Sequence, residues 1–204
     1  MGYRMDQTHW RHGALLALAA AFLCGLAWGE AVKSVVDGDT VELATGDRVR
    51  LIGIDSPERG ELFYDAAKIC LKDLVLGKAV RIERDADTMD SYGRKLGYLF
   101  VGRTFVNGAM VYAGLAYASS HPPNTRYEAL LFAAQRDARA ARRGLWREQK
   151  VSDERFYVGN LSTHKFHRPS CEWAAKIEPK HQVRLTNRVQ GLNLDLTPCR
   201  SCKP

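Results

Sequence analysis

The chain has 204 residues, 46% hydrophobic and 26% charged, and a mean hydropathy of −0.30. That balance excludes an intrinsically disordered chain, and the length suits one good core plus a small module. A formal net charge of +7 and a pI of about 9.3 permit anionic partners such as nucleic acid without requiring them.

Residues 1–29 read as a leader. Arg4, Arg11 and His12 precede an apolar run, Ala14 to Ala27, too short to span a bilayer comfortably. Ala27-Trp28-Gly29 places small residues three and one positions before a cleavage point at Glu30, the pattern of a secretory signal peptide. Left uncut, the segment would anchor the chain to a membrane. Leu23 before Cys24 argues against lipidation. The expected location is therefore periplasmic or secreted. Export would leave Cys70, Cys171, Cys199 and Cys202 in an oxidising compartment, where two disulfides are one reading.

Strands are predicted over Val32–Val36 and Thr40–Ala44, flanking the hairpin turn Asp37-Gly38. Thr45-Gly46-Asp47 turns into a buried central strand from Val49 to Ile54, rich in aliphatic and β-branched residues. It ends in Asp55-Ser56-Pro57-Glu58. Pro57 fixes its own φ and drives Ser56 to an extended shape, so Asp55 and Glu58 sit at a rigid strand end. Glu61 to Leu76 has helical spacing: Leu62, Ala66, Ile69, Cys70 and Leu74 share a face, and Gly77 ends the helix. On that face Cys70 is a small buried hydrophobe. Further strands follow at Ala79–Glu83 and Leu96–Val101, then a turn at Gly102-Arg103 and a short helix, Val106 to Ala113. After Pro122-Pro123, Asn124 or Thr125 caps a helix that turns Leu130, Leu131, Ala134, Ala138 and Ala141 inward. Gly144 ends it, and Leu145-Trp146 pack back on the body. Five short strands with interleaved helices predict an α+β, mostly β fold, a five-stranded barrel of the OB type with about three helices.

The chemistry collects around the central strand. If the first hairpin lies beside it, Asp39 approaches Asp55. Two facing carboxylates repel unless a cation lies between them, and oxygen-only ligands suit a hard ion, Ca²⁺ or Mg²⁺. Arg50 opens the central stretch, and Asp90-Ser91-Tyr92-Gly93-Arg94 puts a second arginine on a glycine turn. Arginines pair with phosphate oxygens bidentately and stay charged at any working pH. By residue type this is a phosphodiester-cleaving set, with ordinary surface salt bridges as the competing reading.

Asp37-Gly38-Asp39-Thr40, Arg50-Leu51 through Glu58, Asp90 through Arg94, Val106-Asn107, Gly114-Leu115-Ala116 and Gly144-Leu145-Trp146 together resemble the staphylococcal (thermo)nuclease family, in the family's order. The resemblance implies an OB-fold barrel with three helices, and an endonuclease that hydrolyses DNA and RNA to 3′-phosphate and 5′-hydroxyl ends. It implies Asp39, Asp55 and the Ser56 carbonyl as calcium ligands, Glu58 as general base, and Arg50 and Arg94 as the arginines that bind phosphate and stabilise its pentacovalent transition state. The chain departs from the family in a short Arg59-Gly60-Glu61 loop, in Ser91 where lysine is common, and in Ser119, Ser120 and His121 where base-stacking tyrosines are expected. The competing functional class is a catalytically silent OB module that binds nucleic acid. Such a module has no need of an acid pair beside a phosphate grip.

Residues 30–148 form the predicted catalytic domain, 149–155 a linker and 156–204 a second unit. In that tail, Phe166-His167-Arg168-Pro169-Ser170-Cys171 and Pro198-Cys199-Arg200-Ser201-Cys202 carry the spacing of a tetrahedral zinc site built from His167, Cys171, Cys199 and Cys202. A unit this small needs a staple, and a closed four-ligand site is structural. The stretch resembles the zinc-binding domain of Ada-type DNA-repair proteins, with His167 where the first cysteine stands. The alternative is a disulfide from Cys171 to Cys199 or Cys202. His164 and His181 read as surface residues. The tail holds eight Lys/Arg against three Asp/Glu, which suggests a hand in holding nucleic acid; no stable protein partner is implied.

Overall fold

A computed structural model describes residues 29–147 and 154–204. Residues 1–28 of the predicted leader and 148–153 at the predicted linker lie outside the described residues. The nuclease-like part runs β1 (Glu30–Val35), β2 (Thr40–Leu43), β3 (Arg48–Leu51), β4 (Ile54–Asp55), α1 (Tyr64–Val75), β5 (Ala79–Glu83), β6 (Lys95–Val101), β7 (Thr104–Phe105), α2 (Val106–Tyr112), β8 (Tyr117–Ala118) and α3 (Glu128–Ala140). Among the described residues no helix is long and apolar enough to cross a membrane.

Five strands form the barrel in the order β3-β2-β1-β5-β6. The Asp37-Gly38 turn brings Val35 opposite Val41, and antiparallel pairing continues from β2 to β3, β1 to β5 and β5 to β6. Parallel pairing of β3 with β6, Arg50 opposite Leu96, closes the ring and leaves these strands without a free edge. Side chains alternate across the wall. In β3, Val49 and Leu51 enter the core while Arg50 between them does not.

The predicted central strand is in fact two strands. β3 stops at Leu51, the chain turns at Ile52-Gly53, and Ile54-Asp55 pairs with β8, Asp55 opposite Tyr117. Gly53 has φ 76°, a conformation glycine adopts without strain, and a Cβ there would collide with the Leu131 side chain. Asp55 therefore lies on a two-stranded ribbon beside the barrel, tied to the chain before α3.

The inward face of α1 also differs from the prediction. Ala67, Leu71 and Val75, four residues apart, are buried, while Leu62 and Ile69 are exposed. Cys70 and Leu74 flank this stripe at the core's margin. The helix begins only at Tyr64, so Leu62 precedes it. Ala67 lies against the Gly38 turn, a close approach that a larger residue would prevent. In α3, Leu131, Phe132, Gln135 and Ala138 turn inward and Leu130 stays exposed. Neither Asn124 nor Thr125 is the N-cap; Tyr127 stands there with no side-chain cap bond. Asn124 is used elsewhere: its Oδ1 accepts the Asp87 N–H at 2.7 Å and its Nδ2 donates to the Asp87 carbonyl at 2.9 Å. Trp146 packs back as predicted, edge-on to Tyr117 at 5.3 Å.

The tail runs β9 (Tyr157–Asn160), β10 (Lys165–His167), α4 (Glu172–Ala175), β11 (Gln182–Leu185), α5 (Arg188–Asn193) and β12 (Thr197–Pro198). Its sheet has the order β11-β9-β10-β12. Tyr157, Phe166, Leu185, Leu192 and Leu196 form one apolar cluster with Ala138 and Trp146 of the nuclease-like part. The Thr197 hydroxyl donates to the Ala118 carbonyl at 2.6 Å, fixing β12 beside β8.

Asn107 links the barrel to the turn that launches β4. Fully buried, its Oδ1 accepts the Leu99 N–H at 3.0 Å and its Nδ2 donates to the Ile52 carbonyl at 2.8 Å. Asn107→Ala would strand both backbone groups, at about 1–3 kcal/mol for each one left unsatisfied. The expected outcome is a lower urea midpoint at unchanged m-value. Asn107→Asp should not rescue it, because the carboxylate cannot donate to Ile52.

Candidate functional site

A cleft of about 400 Å³ opens where β3, β4 and the turn before β6 meet, lined by Asp39, Arg50, Asp55, Glu58 and Arg94. The structure thus brings the sequence-predicted catalytic residues to one place. Asp39 arrives from the first hairpin, beside the strand bearing Arg50: the Leu51 N–H donates to the Asp39 carbonyl at 2.8 Å. The Asp39 side chain is buried and fully occupied. Oδ2 accepts the Ser56 N–H at 2.7 Å, and Oδ1 lies 3.1 Å from Arg50 Nε and accepts from Thr40 at 3.2 Å. Asp37, beside it, has its carboxyl pushed above the ordinary range by burial and by the neighbouring Asp39 charge.

Arg50 is the clamp between the two aspartates. Besides Asp39, it reaches Asp55 Oδ1 through Nη2 at 3.2 Å, and its Nη1 donates to the Leu51 carbonyl at 2.6 Å. Glu58 stands at the rim with its side chain 60% exposed, able to meet bulk water. Its backbone N–H donates to Glu61 Oε2 at 2.8 Å. Arg94 lines the same cleft, but its Nε pairs with Asp90 Oδ2 at 2.7 Å and its guanidinium lies 5.4 Å from the Tyr92 ring centre.

Three further residues on the cleft wall had no role in the sequence reading. Lys165 and Arg200 come from the tail, and His121 from the chain before α3. Burial pushes His121 below its ordinary pKa, and it pushes Lys165 down too, against the pull of the Asp55 charge. Arg200 makes the closest approach. Its Nε donates to Asp55 Oδ2 at 2.6 Å, Nη1 lies 2.6 Å from Glu58 Oε1, and Nη2 pairs with Asp55 Oδ1. The same Nη2 is 3.4 Å from the Ser56 carbonyl and 3.8 Å from Asp39 Oδ2. Arg200 stood in the sequence only as a spacer between two cysteines; nothing local signals that the tail docks here.

The convergence on Arg200 Nη2 shows that Asp39, Asp55 and the Ser56 carbonyl face a common point. All are oxygen donors, and two are carboxylates. That donor set fits a hard divalent cation.

The tail's predicted ligands also come together. The donor atoms of His167, Cys171, Cys199 and Cys202 all lie within 4.8 Å of one another. A tetrahedral site with zinc–sulfur bonds of about 2.3 Å has edges of about 3.8 Å, so the cluster fits zinc after a small contraction. His167 Nδ1 is 3.6 Å from Cys171 Sγ. Parallel pairing of β10 with β12 brings the two halves together, with the Cys199 N–H donating to the Phe166 carbonyl at 2.9 Å. No disulfide joins the three tail cysteines or Cys70 among the described residues. Burial pushes the Cys199 thiol up, but the backbone N–H groups of Cys202 and Ser201, together with the thiols of Cys202 and Cys171, hold it below its ordinary value, while burial pushes the Cys202 thiol up to about 12. Cys199 is thus the thiol most readily given to a metal as thiolate. His164 and His181 are both half-buried; neither joins the cluster.

Residues 48–148 match the family model described as staphylococcal nuclease homologue. The chain is 36% identical over 124 residues to a thermonuclease of Staphylococcus intermedius, covering 56% of this chain and 74% of that one. It is 32% identical over 159 residues to a micrococcal nuclease of Shigella flexneri, covering 69% and 89%. It is also 34% identical over 148 residues to Protein ParB of Escherichia coli, covering 65% and 82%.

The cluster makes a prediction about metal content. Native mass spectrometry of the intact protein should show one zinc per chain, and Cys199→Ser should lower that content well below one. A metal-free wild type that keeps its fold would remove the zinc assignment.

Proposed function

Because the chain belongs to the staphylococcal nuclease homologue family and is a thermonuclease-like phosphodiesterase, we propose that it is a calcium-dependent endonuclease acting on both DNA and RNA. What carries this reading is the meeting of Asp39, Arg50, Asp55 and Glu58 in one cleft. A silent binding module would gain nothing from it. Asp39, Asp55 and the Ser56 carbonyl would hold the calcium ion, which supplies positive charge beside the scissile phosphate when bound.

Glu58 acts as general base. It sits at the exposed rim, where its carboxylate takes a proton from a water attacking phosphorus in line with the leaving oxygen. As that attack proceeds, negative charge accumulates on the equatorial phosphate oxygens. Arg50 and Arg94 neutralise it. Arg50 is pre-positioned by its two aspartate contacts, so it loses little freedom when phosphate arrives. Asp90 orients Arg94 in the same way. Cleavage leaving 3′-phosphate and 5′-hydroxyl ends rests on family likeness. The tail, whose Phe166–Cys171 frame resembles the Ada-type zinc domain, is assigned a structural zinc, and its basic balance assists in holding nucleic acid. Residues 1–29 are assigned as an export signal, with a periplasmic or secreted product.

Cleavage of plasmid and single-stranded DNA should require Ca²⁺ and stop with a calcium chelator. Glu58→Gln should lower kcat by about 10²–10⁴-fold, the usual contribution of a positioned base. Arg50→Lys keeps the charge but loses the forked grip and should also cut turnover strongly. Both variants should keep the wild-type circular dichroism spectrum. Near-wild-type turnover in either folded variant would sink the assignment of roles.

A further inference from the structure

We propose that Arg200 is a tethered counter-cation of the carboxylate site. It occupies the oxygens that a divalent ion needs and withdraws when the ion binds. The inference rests on the calcium reading of that site and adds a residue that the reading does not contain.

The geometry is that of direct competition. Arg200 uses Nε, Nη1 and Nη2 to contact both oxygens of Asp55, one of Glu58 and the Ser56 carbonyl. A calcium ion binds its oxygens at about 2.3–2.6 Å. It therefore fills the space these N–H groups take, and it demands the same lone pairs. Arg50 already sits on Asp55 Oδ1, so an ion together with Arg200 would put a third positive group on one carboxylate. The guanidinium and the ion exclude one another.

Charge explains why an arginine rests there. Asp39, Asp55 and Glu58 put three negative charges in one cleft; Arg50 pairs with the two aspartates, Arg94 is engaged by Asp90, and Lys165 lines the wall. A further cation in direct contact with Asp55 and Glu58 relieves their mutual repulsion. Arg200 supplies that cation from within the chain.

Its attachment is rigid near the backbone and loose at the tip. Cys199 and Cys202 flank it, and Cys199 is hydrogen-bonded to Phe166. Thr197, three residues before, is bonded to Ala118, on the strand that pairs with the Asp55 strand. On the other side Lys203 pairs with Glu61 at 2.5 Å. The side chain itself is 46% exposed, so its outer face is open to solvent although Asp55 beneath it is buried. Arg200 can therefore swing toward solvent, or toward an incoming phosphate, while its backbone stays in place.

Calcium affinity is then reduced by the fraction of molecules in which Arg200 is in place. Isothermal titration of the intact protein with CaCl₂, in the absence of nucleic acid, tests this directly. Arg200→Ala should bind Ca²⁺ about tenfold more tightly than wild type, and Arg200→Gln should do the same. Arg200→Lys, which keeps the charge without the fork, should fall between. A second readout is thermal stability. In calcium-free buffer Arg200→Ala should melt below wild type, because its carboxylates face fewer cations, and saturating Ca²⁺ should close that gap. Unchanged zinc content in each variant shows that the tail is intact. Equal calcium affinity in wild type and both neutral variants would overturn the proposal and leave the calcium reading standing. So would weaker binding in the variants, which would make Arg200 a support of the ion site. No calcium binding in any of the proteins would overturn the calcium reading itself, and the proposal with it.

Discussion

Mutual repulsion among carboxylates is the constraint around which this molecule is arranged. Asp39 and Asp55 come from different hairpins and are both buried, a placement that is unfavourable unless positive charge and N–H donors surround them. Arg50 stands between them, on the strand whose alternation turns its neighbours Val49 and Leu51 into the core. The Ser56 N–H takes the remaining Asp39 oxygen. Barrel closure, the break at Gly53 and the β4–β8 ribbon each set the distance between these charges. A fault in any of them would be felt first as electrostatic strain at the cleft.

Much of this was legible in the sequence because it depends on short-range rules. The Asp37-Gly38 turn and the β-rich run after it read as a hairpin, and laying that hairpin beside the central strand brings Asp39 toward Asp55. Pro57 fixes the strand end, and Gly144 places Trp146. What stayed hidden depends on partners far along the chain. The turn at Gly53 is explained by Leu131 in α3, and no window around Gly53 contains it. The inward face of α1 was misplaced because Leu62 and Ile69 are more apolar than Ala67. The barrel selected by close approach, which favours a small residue, and not by hydrophobicity alone. Asn124 resembles a cap but is recruited to the distant Asp87 backbone.

The zinc ligands were readable from spacing because all four belong to one small module. Arg200 was not, although it sits among them. Its role comes from docking of the tail on β8, an event between two parts of the chain that separate patterns cannot report. A residue between two metal ligands is easily dismissed as spacer. Here it is the tip of a turn presented to the cleft.

The apolar cluster that joins Tyr157, Phe166, Leu185, Leu192 and Leu196 to Ala138 and Trp146 has a consequence for how the molecule comes apart. Ala138 lies on α3, the helix whose Leu131 and Phe132 belong to the barrel core. The tail's interior and the barrel's interior therefore meet on α3, and again at β8, where Tyr117 packs on the tail cluster and Ala118 belongs to the barrel core. Loss of the tail's packing exposes one face of α3 while its other face still holds the barrel. Opening of the two parts is thereby energetically coupled, because part of the tail's interior is built from a barrel helix.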